Sequence, residues 1–221
     1  MKNIQIARID TRKTGHLYIE EYGNEVSWLI LHGYAQAPED LLQCFPEKRG
    51  HRFIAAEGLS RFYRKGFEGE VVSSWMTSKH RLDEIKDQKD WLDRVYERYF
   101  SDDEGRMKIA FAYSQGAATL FRWLADRSPS FDQIWIWAGS IPQDVSYKKL
   151  SEYLRDSPFH FFGGSDDPFL PEDYLDRCMS RAVDLDLEAH THSYEGGHHV
   201  LPDKLDSYID DLINRRDSSK S

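Results

Sequence analysis

Cysteine is nearly missing from this sequence. Only Cys44 and Cys178 occur in 221 residues, and neither belongs to a C-x-x-C pair. A disulfide framework is thereby excluded, and both thiols are expected to be reduced and packed against helices. Long hydrophobic runs are absent as well: no stretch reaches the roughly 20 apolar residues that span a bilayer. The polar, alternating start Met1-Lys2-Asn3 lacks the apolar centre of a secretory signal, so the cytoplasm is the expected location. Positive charge is scarce, with 29 Lys and Arg against 38 Asp and Glu and a net charge of −9. No basic helix or stripe appears, which argues against a nucleic-acid partner. Neither G-x-G-x-x-G nor a P-loop follows any apolar run, and no H-E-x-x-H occurs. The expectation is therefore no nucleotide, no cofactor and no metal.

What is present is enough apolar and aromatic material for one sizeable core, here assigned to residues 1–213, followed by a polar tail over 214–221. Residues 3–9 and 16–22 alternate apolar and polar around Thr11–Gly15, which predicts an antiparallel N-terminal hairpin. Strands are expected near 27–31, 52–56, 107–112, 133–138, 158–162 and 187–194. Helical spacing runs over 79–100, with Leu82, Ile85, Leu92 and Val95 on one face and Thr77 or Ser78 as cap. Further helices are expected over 171–182, with Pro171 in the first turn, and over 201–213, where Leu205, Ile209 and Leu212 face inward. Apolar strands separated by helices predict an α/β fold with a mostly parallel, doubly wound sheet.

The pentapeptide Ala112-Tyr113-Ser114-Gln115-Gly116 sits where an apolar strand meets a helix. A serine at such a bend projects its hydroxyl above the sheet edge, and small residues two positions either side let strand and helix pass. Ser114 is the candidate nucleophile. Three other strand ends carry complementary chemistry, where open parallel sheets bind their ligands. Leu31-His32-Gly33-Tyr34 offers the Tyr34 N–H, which with the Gln115 N–H makes a two-donor oxyanion hole. His32 is read as a brace for that loop. Gly163-Gly164-Ser165-Asp166-Asp167-Pro168 offers an acid to orient an imidazole; the G-x-x-D-P spacing favours Asp167, with Asp166 as the competing residue. Tyr194-Glu195-Gly196-Gly197-His198-His199 offers a base, and His198 directly follows the glycine pair.

The order Ser, Asp, His at successive strand ends resembles the α/β-hydrolases, closest to the carboxylesterase/phospholipase group that includes acyl-protein thioesterases. The resemblance covers roughly 25–213. Val72-Ser73-Ser74-Trp75 is similar to that group's tryptophan-bearing loop, and Ala138-Gly139-Ser140-Ile141-Pro142 to its small-residue loop. It implies a serine esterase with a Ser114–His198–Asp167 triad acting on a small ester or thioester. Ala112 departs from the usual glycine of the elbow, and 61–67 aligns with nothing. Trp75, Phe62, Tyr63 and Phe169 are candidate substrate contacts, with a core role as the alternative. Arg61, Arg64 and Lys65 form a basic cluster, read as a solvated loop or as a site for an anionic substrate group.

Two other functional classes stand beside this one. A hydrolase fold that binds without turnover would carry the same elbow. A metal-dependent hydrolase would draw on His190, His192, His198 and His199, the first two sharing one strand face. Acyl length, ester against thioester, oligomeric state and lid behaviour of 58–80 are left open by the residues.

Overall fold

The structure, a computed structural model, describes residues 4–102, 105–153 and 157–219. A seven-stranded sheet forms the centre, in the order β1-β3-β2-β6-β7-β8-β9. Its members are β1 (Leu17–Glu21), β2 (Val26–Leu31), β3 (His51–Ala56), β6 (Met107–Tyr113), β7 (Gln133–Trp137), β8 (Phe159–Gly164) and β9 (Ala189–Tyr194). All neighbours are parallel except β1, which runs antiparallel to β3.

Every residue of β2 is buried, as a strand covered on both faces requires. One core cluster joins alternate strand residues such as Leu29, Ile54, Ala110 and Ala112 to α2 (Arg81–Tyr99), α3 (Gln115–Arg127), α4 (Tyr147–Tyr153) and α5 (Tyr174–Asp184). The other joins Trp28, Phe53, Phe111 and Trp137 to α1 (Pro38–Leu42) and α6 (Pro202–Ser219) on the opposite face. After β2 the chain steps outward to β3 and then returns across β2 to β6. The carboxyl ends of β2 and β6 therefore flank the point where strand order reverses, which is where open parallel sheets bind their ligands. Both His32-Gly33-Tyr34 and Ser114 leave the sheet at those ends.

The N-terminal hairpin is a correction. Residues 4–16 contain no strand, and Ile4, Ile6 and Ile9 are exposed. Alternation specifies a strand only where one face has a core to cover. The inner edge of β1 is taken by β3, from Leu17↔Ala56 to Glu21↔Arg52, and among the described residues no strand pairs with its outer edge. Arg8 instead reaches Asp83 at 2.9 Å, carrying the segment over α2.

The hairpin the molecule does form is β4 (Ser60–Lys65) with β5 (Glu68–Ser74), between β3 and α2. The N-cap of α2 is His80 in the left-handed region rather than Thr77 or Ser78. Thr77 still contributes, because its N–H and O–H both donate to Glu84 in the first turn. Leu82 sits in that exposed first turn, while Ile85, Leu92 and Val95 are buried. Helix α5 begins at Tyr174, three residues after Pro171. The tail expected from Asn214 continues α6 through Ser219; Lys220 and Ser221 lie outside the described residues, as does the side chain of Leu212. Among the described residues no helix is long and apolar enough to cross a membrane.

Candidate active site

The serine turn is built by crowding. Ser114 has φ 51 and ψ −116, a region L-residues seldom occupy, at an expense of about 1–3 kcal/mol. Its N–H donates to the Trp137 carbonyl at 2.9 Å, which ties the bend to β7. Gly116 lets α3 start directly over β2: a Cβ there would lie 2.5 Å from the Leu31 carbonyl oxygen. Gly33 is needed for the same reason and not for an unusual φ, since its Cβ would meet the Tyr113 ring at 2.9 Å. The left-handed residue of that loop is Ala35, at φ 53. Ala112 is fully buried in register with Leu31 and Ile136, so the methyl in place of glycine fits.

Ser114, His198 and Asp167 form one chain of hydrogen bonds. The Ser114 Oγ lies 2.9 Å from His198 Nε2, and His198 Nδ1 lies 2.7 Å from Asp167 Oδ2. The Asp167 side chain is wholly buried, and its other oxygen accepts the Phe169 N–H at 2.9 Å. Asp166 points elsewhere: it accepts from the Ser165 hydroxyl and is exposed. The acid and base loops are laced by backbone, with Ser165 N–H on Tyr194 O and Asp166 N–H on Gly196 O.

His32 is a brace. It is 1% exposed, lies with Nδ1 2.6 Å from the Gly33 carbonyl, and has Gly58 N–H and Ser73 Oγ on Nε2. Burial lowers its pKa to about 4, so it is neutral at physiological pH. Tyr34 follows Gly33 in the loop packed on Ser114. Gln115 opens α3, where the first N–H groups have no intrahelical acceptor. The Gln115 side chain clamps the end of β5, accepting from Trp75 N–H and donating to Met76 O.

The aromatic candidates divide. Phe169 is 77% exposed and sets its ring against the His198 imidazole at 4.9 Å. Phe62 is half-buried and packs on Tyr34 at 5.8 Å, while Tyr63 and Phe67 point to solvent. Of the two roles open to Trp75, the structure places it in the core: it is fully buried, and its indole N–H donates to the His32 carbonyl at 2.8 Å. Arg61 and Arg64 are engaged within the protein. Arg61 pairs with buried Glu57 at 2.6 Å; Arg64 pairs with Glu70 at 3.0 Å and donates to the Ala35 carbonyl.

The histidines invoked for a metal fall in two places: His190 and His192 both stack on His160, whereas His198 and His199 lie in the loop after β9. His198 belongs to the serine's chain, and His192 hydrogen-bonds His160 on β8. Among the described residues no group of three or more His, Cys, Asp or Glu is placed to hold a metal ion.

No family model and no curated protein matches this sequence. Solved structures do. The acyl-protein thioesterase 2 of Zea mays superposes with a TM-score of 0.67 at 16% identity, covering 91% of this chain and 99% of its own. Esterase PE8 gives 0.66 at 20% identity, covering 91% and 98%. A carboxylesterase of Bacillus cereus gives 0.64 at 13% identity, covering 88% and 91%. The chain has the α/β-hydrolase fold. Within that hydrolase fold the elbow follows β6, the acid loop β8 and the histidine loop β9. Sequence reasoning missed the side chains that fasten these loops, Tyr113, Trp137 and Tyr194. Only the parity of Ile109, Phe111 and Tyr113 along β6 hinted at the first.

Proposed function

We propose that this protein is a serine hydrolase of small carboxylic esters or thioesters. The observation that carries the proposal is the unbroken chain from Ser114 Oγ through His198 to buried Asp167, starting at a strained serine. A serine hydroxyl is a weak nucleophile until a base removes its proton during attack. His198 Nε2 takes that proton, while Asp167 holds Nδ1–H and stabilises the imidazolium. Oγ adds to the substrate carbonyl, and the developing oxyanion accepts from the amides of Tyr34 and Gln115. Collapse expels the alcohol or thiol, which leaves with the proton from His198. Water activated by His198 then adds to the acyl-enzyme and releases the acid, restoring Ser114. Phe62 and Phe169 border the acyl or leaving group in this reading.

A fluorophosphonate probe should label folded protein at Ser114, and labelling should vanish in Ser114→Ala. Turnover of an activated ester should fall by roughly 10⁴–10⁶-fold in Ser114→Ala and in His198→Ala, because triad members act as a unit. Absence of any adduct in the unmodified protein would overturn the reading. A panel of esters and thioesters of graded acyl length, run on the same preparation, defines the substrate.

A further inference from the structure

The base sits on an irregular loop. Glu195–His199 forms neither helix nor strand, and Gly196 has φ 147, a conformation reserved for glycine. Such a loop does not by itself hold an imidazole to a few tenths of an ångström. Its carbonyls, however, are taken up by side chains rooted in three strands. Trp137 Nε1 of β7 donates to His199 O at 2.8 Å, and the Tyr194 hydroxyl of β9 lies 3.0 Å from the same oxygen. Tyr113 of β6 donates its hydroxyl to the carbonyl of His198 itself, at 2.7 Å.

Tyr113 is singular among these because it immediately precedes Ser114. Its ring also lies against the His198 imidazole, with centroids 5.2 Å apart, while Phe169 packs its own ring on the imidazole at 4.9 Å. One side chain thus spans from the nucleophile's own strand to the backbone of the base. We infer that Tyr113 is a positioning residue, whose hydroxyl sets the reach of His198 Nε2 to Ser114 Oγ from the residue next to the serine. This rests on the hydrolase reading for its effect on turnover, and on geometry alone for its effect on the imidazole. Burial pushes the Tyr113 phenol far above its ordinary range, so the group remains a donor at every pH of interest.

Tyr113→Phe is the test, since the ring is kept and only the donor is lost. Its thermal midpoint should move by no more than roughly 4 °C. The rate per titrated active site should fall about 10–100-fold with KM within about twofold, because misplacing a catalytic group by an ångström has effects of this order. The labelled fraction should be unchanged, whereas a merely structural role would lower that fraction and spare the rate per site. A second readout needs no turnover: the proton NMR resonance of His198 Nδ1–H, shielded from exchange by Asp167, should broaden or vanish in Tyr113→Phe. A variant with wild-type rate per site and an unaltered resonance overturns the inference. Should the unmodified protein hydrolyse nothing, the hydrolase reading falls, and the resonance alone decides for or against positioning.

Discussion

Two adjacent aspartates with the same chemistry have different surroundings. Asp167 has both oxygens occupied, by His198 and by the Phe169 amide, in a fully buried position. Asp166 is exposed and its carboxylate accepts only a neighbouring hydroxyl among the described contacts. Asp167→Asn should therefore lower kcat by about 10⁴-fold, because an amide at this point presents a donor and favours the wrong tautomer. Asp166→Asn should stay within a few-fold of the unmodified protein. Steady-state kinetics of the two variants decide the matter, and the opposite ranking would transfer the role to Asp166. At this scale the sequence was legible wherever a polar side chain followed a strand and was bracketed by glycine or proline. Ser114, Asp167 and His198 all meet that condition. Tyr113 does not, because its partner lies 85 residues away and no local pattern announces it. Trp75 stays open between pocket and core in the sequence because a tryptophan after a strand has the same local environment in either role; its burial places it in the core.

Among the elements, strands buried on both faces were the easiest to place. The central runs of β2 and β6 have no polar face to confuse their boundaries. The β4–β5 hairpin gave no such signal. Its apolar pairs, Phe62↔Val72 and Tyr63↔Val71, are adjacent doublets flanked by charged residues rather than an alternating face, and most of β4 and β5 is exposed, so no core face marks it as a strand pair. Only Gly66, at φ 81 in the turn, marks the reversal. The N-terminal arm failed in the opposite sense, having the right alternation and no surface to bury it against. Periodicity records which residues prefer shelter; whether shelter exists is decided by strand order, which no single segment encodes. The hairpin nevertheless contributes to the site, since it holds the Tyr34 loop through Arg64 on the Ala35 carbonyl and Ser73 N–H on Gln36 O.

For the molecule as a whole, two buried histidines tie stability to pH. His32 and His51 are each 1% exposed, and burial lowers both from 6.5 to about 4. His51 Nδ1 accepts the Trp28 indole N–H at 3.0 Å, a bond that protonation would break. Between pH 4 and 6.5 the unfolded chain binds protons at these positions and the folded chain does not. Stability therefore rises with pH across that window and falls as the pH is lowered through it, by up to about 3 kcal/mol for each histidine. Urea midpoints should drop steeply from pH 6.5 to 4.5, and the slope should be shallower in His51→Gln, which keeps an acceptor and does not titrate. An unchanged slope would place the acid sensitivity elsewhere.

The backbone at Ser114 has a consequence for the stability of the fold as well as for the proposed reaction. Glycine adopts φ 51 without the steric penalty a serine meets, and the hydrogen bond lost with Oγ contributes little at a half-exposed position. Ser114→Gly should then raise the global stability by about 1 kcal/mol, or roughly 2–4 °C in Tm, in a protein that no longer reacts with the probe. A lower Tm in calorimetry would contradict this. Durability and reactivity pull in opposite directions at this one position.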